Sequence, residues 1–473
     1  MEIAKKYLKE NLPLKALERL KELLDNGVNP EDEWKVHELF SAAFADLGAA
    51  EMVVKANFNA MRTDKILRAQ RRHFSNYLFT LHYLENFDED HYLQSAQMYN
   101  MLYQDVDISF QNTAPRTQDK IHVAFMAPNF YDSSAARFYE SLLTCYDKEK
   151  FYVSLWSLAD DKKYYRETYD SFTGNILYKV NEYHNVSEVS FEEIAQEISD
   201  ADADVFFDLG GHTEGGATLQ IASYKPARVR MTGFGYFDTT GLDAIDFYVT
   251  DEFLARGNQE YFTEKMLVLD NGLVFTPSRN MRFRKWHLRR EPKPNFIFAC
   301  YNNFLKITDR YLYCVKEILN AVPEAKMIFR DTTPLKSRQD ALTERLKEYD
   351  FPMDRVEVLC SDPESYLHDY EQISLVLDTF PYTGGMMTAL AIYFEVPVLN
   401  LCGMSHSQRL GADMLRLAGL KNFIVTNTDD YINFAVNFAK NPTPIEPNKR
   451  LFRVMPFVKS FYRMIERVMK CVE

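Results

Sequence analysis

Apolar residues recur at helical spacing in the first stretch of the chain, at Tyr7, Leu8, Leu14, Leu17, Leu20, Leu23 and Leu24, and Asn26–Gly27 provide a stop. The spacing predicts one amphipathic helix there. Two more follow in EDEWKVHELFSAAFADLG and AAEMVVKANFNAMRTD, joined near Gly48. Antiparallel helix pairs of this size are tetratricopeptide-like, with at most two units. Residues 1–115 are therefore expected to be helical throughout and docked on the first lobe, as a cap that completes the fold or an arm that binds a partner. Near Thr113–Asp119 the pattern changes. Short apolar runs now alternate with amphipathic stretches: KIHVAFMAPNF, a helix over about Ala135–Tyr146, FYVSLWSL, VFFDLGGHTEGG, RVRMTGFGYFDTTGLDAIDFYVTD and KMLVLD. Apolar runs of this kind predict parallel strands buried under helices, hence a Rossmann-like lobe over residues 116–280. A basic segment, RNMRFRKWHLRREPKP (Arg279–Pro294), reads as a solvated linker, and the alternation resumes in a second lobe over residues 281–440. An amphipathic helix closes the chain over residues 441–473.

Within the second lobe, Ile373–Leu377 is a buried strand with Asp378–Thr379 at its carboxyl end, Gly384–Gly385 in a tight turn, and a helix from Met386 to before Pro397. A glycine pair between a strand end and a helix start lets an anion approach backbone N–H groups at the positive end of the helix dipole. In open α/β sheets, ligands bind at this carboxyl edge. The same turn could simply relieve strain in an ordinary βαβ unit.

Composition narrows the picture. A chain of 473 residues implies two or three domains, and 46% hydrophobic with 26% charged residues is ordinary for a folded protein. A net charge of −13 argues against nucleic acid or an anionic membrane as the main partner. Cys145, Cys300, Cys314, Cys360, Cys402 and Cys471 are scattered without metal-ligand spacing, which fits free thiols in a reducing compartment. No run reaches membrane-spanning length, and MEIAKKYLKENL is amphipathic, unlike a signal peptide. A cytoplasmic location is the expectation. HExxH, GxSxG, P-loop and complete GxGxxG patterns are all missing. The pairs Asp105/Asp107 and Asp202/Asp204 precede no metal-binding loop and read as solvated helix-end charges, so no metal site is expected.

LDTFPYTGG followed by a helix, then VPVLNLCG and SHSQR, resembles the catalytic region of the O-GlcNAc transferase (SPINDLY-like) family, bacterial type. The resemblance extends from about residue 65 to about residue 440. It implies a GT-B fold, α/β in class, with two Rossmann-like lobes facing across a cleft and a terminal helix crossing back to the first lobe. It further implies transfer of GlcNAc or another hexose from a UDP-sugar to a protein side chain, with inversion and without a metal or other cofactor. DLGGHT resembles the family's DLxGHT, which puts His212 at the site. GYFDTTGLDAIDF resembles GYxxTTGLDAxDY and contributes Tyr236, Thr239, Thr240 and Gly241. The family's xNNxxKI loop supplies a lysine to the diphosphate of UDP; Lys306 falls there, beside Asn303. HSQRLGADMLRLAGL keeps His406 and Arg409 of HxSRxxxSLLxxxGL. The implied catalytic residues are His212 and Lys306. The implied substrate-binding set is Ser133, Tyr236, Thr239, Thr240, Asn303, Lys306, Asp378, Gly384, Gly385, Met386, Met387, Thr388, His406 and Arg409.

Several positions depart from the family's pattern. In APNFYDSSAARF, Asn129 stands for an aspartate and Ser133 for a histidine; Met387 stands for a threonine, and Leu390 for the carboxylate that bonds the ribose hydroxyls. Losing hydrogen-bonding groups from a buried donor site costs about 1–3 kcal/mol each. Two readings therefore stand: a protein glycosyltransferase using a UDP-sugar and a protein acceptor, or a degenerate GT-B protein serving as a non-catalytic partner, chaperone or acceptor-binding subunit beside a second glycosyltransferase subunit.

Overall fold

The computed structural model describes residues 1–159, 172–287, 295–360 and 366–472. Two units emerge, each assembled from separated stretches of chain: Asp88–Ser278 with Lys449–Glu473, and Met1–Phe87 with Arg279–Asn448.

In the first of these, the apolar runs of the inner strands are buried along nearly their whole length, as a sheet covered on both faces requires, while the two edge strands are partly exposed. The strands are β1 (Ile121–Ala127), β2 (Phe151–Ser157), β3 (Glu182–Asn185), β4 (Val205–Asp208), β5 (Val229–Thr232), β6 (Phe247–Asp251) and β7 (Lys265–Leu269). They form a parallel sheet in the order β3-β2-β1-β4-β5-β6-β7. Chain progression reverses between β1 and β4, which makes a switch point at their carboxyl ends. The closing helix, Val454–Val472, belongs to this unit. Phe457, Phe461, Ile465 and Val468 repeat at helical spacing and enter the same core as Phe125 and Phe207. The Phe461 ring lies 5.3 Å from that of Phe207, and the Tyr462 hydroxyl donates to the Leu142 carbonyl at 2.7 Å. Each such buried aromatic contributes roughly 2–3 kcal/mol.

The second unit holds β8 (Ile297–Tyr301), β9 (Lys326–Arg330), β10 (Val356–Leu359), β11 (Leu375–Leu377), β12 (Val398–Leu401) and β13 (Ile424–Val425). Their order is β10-β9-β8-β11-β12-β13, again parallel, with the switch between β8 and β11. The N-terminal helices Glu2–Lys9, Pro13–Asp25, Glu33–Ala45, Ala50–Thr63 and Leu67–Leu81 are part of this unit. That corrects the expectation that they dock on the first lobe. Ser337 Oγ bonds Asn11 Oδ1 at 2.6 Å and the Asp46 carbonyl at 2.8 Å, while Val53 and Tyr83 share a cluster with Leu305.

Other expectations change as well. The first apolar stretch is two helices, because Pro13 lacks the N–H an interior position needs and Asn11 turns the chain at φ 56°. Helix ends at Met101, so Leu102–Pro115 is irregular instead of helical. Arg279–His287 is a helix, not a solvated linker; Arg284 pairs with Glu371, and Lys285 with Glu395 at 3.0 Å. Residues 288–294 of that segment lie outside the described residues. Asp202 and Asp204 are not solvated charges. Arg228 reaches Asp202 at 2.7 Å and Arg116 reaches Asp204 at 2.9 Å, with Asp204 buried.

Candidate functional site

At the switch point of the second unit, β8 ends in Asn302–Lys306 and β11 ends in Asp378–Gly385. Asp378 is fully buried, and burial pushes its carboxyl above the usual range. Donors surround it: the Gly384 N–H at 2.8 Å, the Thr379 N–H at 3.0 Å, Asn400 Nδ2 at 3.0 Å, and Asn302 Nδ2 and the Thr388 hydroxyl at 3.1 Å. A carboxylate so enclosed works through the loop it braces. A side chain at Gly384 would bring its Cβ to 2.3 Å from Thr388 Oγ1, so only glycine permits the turn to close on Asp378. Beyond Gly385, the N-cap, the helix Met386–Tyr393 begins without a side-chain cap, and the space a Gly385 side chain would occupy is open. Its first N–H groups lack intrahelical partners, which suits an anion.

Lys306 lies in the short turn Phe304–Lys306 after β8. Its Nζ donates to the Thr383 carbonyl at 2.7 Å and stands 3.6 Å from the centre of the Tyr382 ring. Burial pushes the ammonium down to about 8, against the pull of Asp378. Asn303 turns the other way: its Oδ1 accepts from Leu305 N–H and from Arg338, each at 3.0 Å. Thr383 Oγ1 accepts the Gly411 N–H at 3.1 Å, tying the glycine turn to the helix Leu410–Leu417. His406 and Arg409 lie in the turn before that helix, His406 buried and Arg409 half-buried. Met386 and Met387 are half-buried on the first helical turn, Thr388 is buried, and Leu390 is completely enclosed. Phe304, Leu305 and Ile307 also line a cavity of about 400 Å³, which Lys306 does not line.

The other unit has a matching device. Asp208, fully buried at the end of β4, accepts the Gly210 N–H at 2.8 Å, the Gly211 N–H at 2.9 Å and the Thr232 hydroxyl at 2.7 Å. Gly211 has φ 54°, and a Cβ there would meet the Tyr236 ring. His212 is fully buried; one ring nitrogen, Nε2, bonds the Thr240 carbonyl at 2.9 Å, and burial lowers its value to about 3, so the imidazole is neutral. Tyr99 and Tyr236 meet it edge-on. Thr239 and Thr240 are enclosed, and Glu264 takes their groups: the Thr239 hydroxyl at 2.6 Å, the Thr240 N–H at 2.8 Å, and the Thr240 hydroxyl. Tyr92 caps the loop, pairing with the Tyr236 hydroxyl and donating to the Thr239 carbonyl at 3.1 Å. Ser133 is exposed and accepts the Ala136 N–H at 3.3 Å.

Within one unit Lys306, Asp378, Thr388 and the glycine pair are thus brought together, and within the other His212, Tyr236, Thr239 and Thr240 form an enclosed cluster. Residues that sequence reasoning missed include Asn302, Asn400, Tyr382, Glu264 and Tyr92. Asn302 stands inside the quoted NN pair, and Asn400 is a lone polar residue in an apolar strand. Either could have been flagged. Glu264 and Tyr92 carry no local signal. Among the described residues, no group of three or more His, Cys, Asp and Glu side chains is placed to hold a metal ion, and no helix is long and apolar enough to cross a membrane.

Residues 93–291 match the model of Glycosyl transferase family 41. The probable UDP-N-acetylglucosamine–peptide N-acetylglucosaminyltransferase SPINDLY of Petunia hybrida is 24% identical over 385 residues, covering 78% of this chain and 40% of the relative. The protein of the same name from Arabidopsis thaliana is 27% identical, covering 69% of this chain and 36% of the relative. The chain thus spans well under half the length of these relatives. Among solved structures, a lysine mutant of the Thermobaculum terrenum O-GlcNAc transferase superposes with a TM-score of 0.76 at 20% identity, covering 93% of this chain and 80% of that one. The fold is therefore GT-B.

Proposed function

This chain belongs to the O-GlcNAc transferase (SPINDLY-like) family of glycosyltransferases, and from that premise we propose that it transfers a hexose, GlcNAc or a relative, from a UDP-sugar to a protein side chain. The observation that carries the reading is the meeting of Lys306 with the Gly384–Gly385 turn at the β8/β11 switch point. An ammonium and the uncapped start of a helix together offer positive charge and N–H donors to a diphosphate. As the glycosidic bond breaks, the leaving UDP gains negative charge, and fixed donors lower that barrier without reorganising. Lys306 and the helix start carry the charge in this mechanism, so it needs no metal. Asp378, Asn302 and Asn400 hold the turn in place beneath it. His212, buried and neutral, is read as a positioning residue for the Thr239–Thr240 loop.

Calorimetry with UDP and a panel of UDP-sugars, followed by mass spectrometry of a peptide library incubated with the best donor, tests the proposal. Saturable UDP heat and a peptide mass increase of one hexose or N-acetylhexosamine are expected. No heat with any nucleotide and no mass increase would overturn it.

A further inference from the structure

Among the described residues, Lys306 Nζ meets two groups on consecutive residues just before the glycine pair: the Thr383 carbonyl at 2.7 Å and the face of the Tyr382 ring, whose centre is 3.6 Å away. The ring itself is braced by the N-terminal helices of the same unit. Tyr83 lies against it with ring centres 5.4 Å apart, and His82, stacked on Phe87, meets it edge-on at 6.3 Å. An ammonium over an aromatic face is attracted by the ring quadrupole, and more strongly where water is excluded. We propose that Tyr382 is the positioning residue for Lys306, holding its ammonium over the ring at the mouth of the glycine turn, and that the helical region keeps that ring in place through Tyr83.

The groups acting on Lys306 restrict what else could do this. Asp378 and Cys300 are the charged or ionisable neighbours that favour its protonated form, and the Cys300 thiol is itself pushed up to about 12 by burial. Burial also keeps the Tyr382 and Tyr83 phenols neutral. Asp378 is committed to the turn by its five donors, so it supplies field without direction. The ring and the Thr383 carbonyl supply direction.

The proposal rests on the donor-site reading for its purpose, so the test reads the contact without nucleotide first. In protein carrying 13C-labelled lysine, the Lys306 ε-methylene signal is assigned by its loss in Lys306→Arg. In wild type it should be displaced upfield by the ring and titrate near 8. Tyr382→Phe should preserve both properties. Tyr382→Leu should abolish the displacement and lower the midpoint by about half a unit to one unit, since the quadrupole's support of the ammonium is gone. UDP affinity at pH 7.5 should then fall about three- to tenfold in Tyr382→Leu and change less than twofold in Tyr382→Phe. An undisplaced Lys306 signal in wild type overturns the proposal even if Tyr382→Leu does not fold. So does equal affinity in folded wild type and Tyr382→Leu. A displaced signal in a wild type that binds no UDP leaves the contact standing and overturns the donor-site reading instead.

Discussion

Asp378 Oδ1 accepts the Gly384 N–H at 2.8 Å, so a wholly enclosed carboxylate fixes the glycine turn on which the anion site depends. Replacing it orphans several donors at once. Asp378→Ala should cost about 3–5 kcal/mol, as expected for breaking a buried charged network, and should abolish UDP binding. Urea unfolding and calorimetry on the same preparation check both. A variant of wild-type stability would mean that the donors find water instead.

Lys306→Ala should remove most UDP binding, because neutral neighbours cannot replace an ammonium facing a diphosphate. Its effect on the fold follows from linkage. The folded value is lowered from 10.5 to about 8, so between these pH values the unfolded chain holds more proton, and this group's contribution to stability rises with pH across that window. Below 8 the buried ammonium is a net burden, so the variant's stability relative to wild type should be highest there and should fall as pH rises from 8 to 10.5. UDP affinity of the wild type should decline as pH rises through about 8. Melting curves and calorimetry from pH 6.5 upward decide it, and a pH-independent affinity would exclude Lys306 as the diphosphate ligand.

Leu390 is fully enclosed on the helix that follows the glycine turn, at the position where the family's pattern has a carboxylate. Leu390→Glu should therefore place a carboxyl in an apolar interior without a partner, costing about 2–4 kcal/mol and tightening UDP binding not at all. A tenfold gain in affinity with an unchanged melting point would show that the side chain reaches the ribose.

His212 sets an acid-side dependence. Its value falls from 6.5 to about 3 through burial, so below 6.5 the unfolded chain takes up a proton that the folded one refuses. Stability from this group is full above 6.5 and is lost as pH falls, at up to about 1.4 kcal/mol per unit. The buried carboxyls Asp208, Asp238 and Glu264 are raised by burial and act with the opposite sign. They are common to wild type and His212→Gln and cancel in the difference. Chemical denaturation at pH 7 and pH 4.5 should show the stability gap between the two proteins narrowing in acid. A constant gap would mean that His212 is protonated in the fold.

Much of this molecule is written locally. The apolar runs that become β1, β2, β4 and β11 were legible because a strand covered on both faces is apolar along most of its length. The turn glycines were legible because a strand end meeting a helix start needs a residue without a side chain. Thr308 caps the helix that follows it, accepting the Tyr311 N–H at 3.2 Å. These are interactions within a few residues, and the sequence alone determines them. What only the tertiary structure decided is which distant groups meet. Glu264 takes Thr239 and Thr240 from 25 and 24 residues away, and Arg116 finds Asp204 across 88. The N-terminal helices lie with the second sheet, where Tyr83 reaches Tyr382. An amphipathic helix specifies that one face must be buried, and a buried carboxylate that donors must surround it, but many surfaces and many donors satisfy those needs equally. The order of strands in each sheet selects among them, and that order is a property of the whole chain's packing.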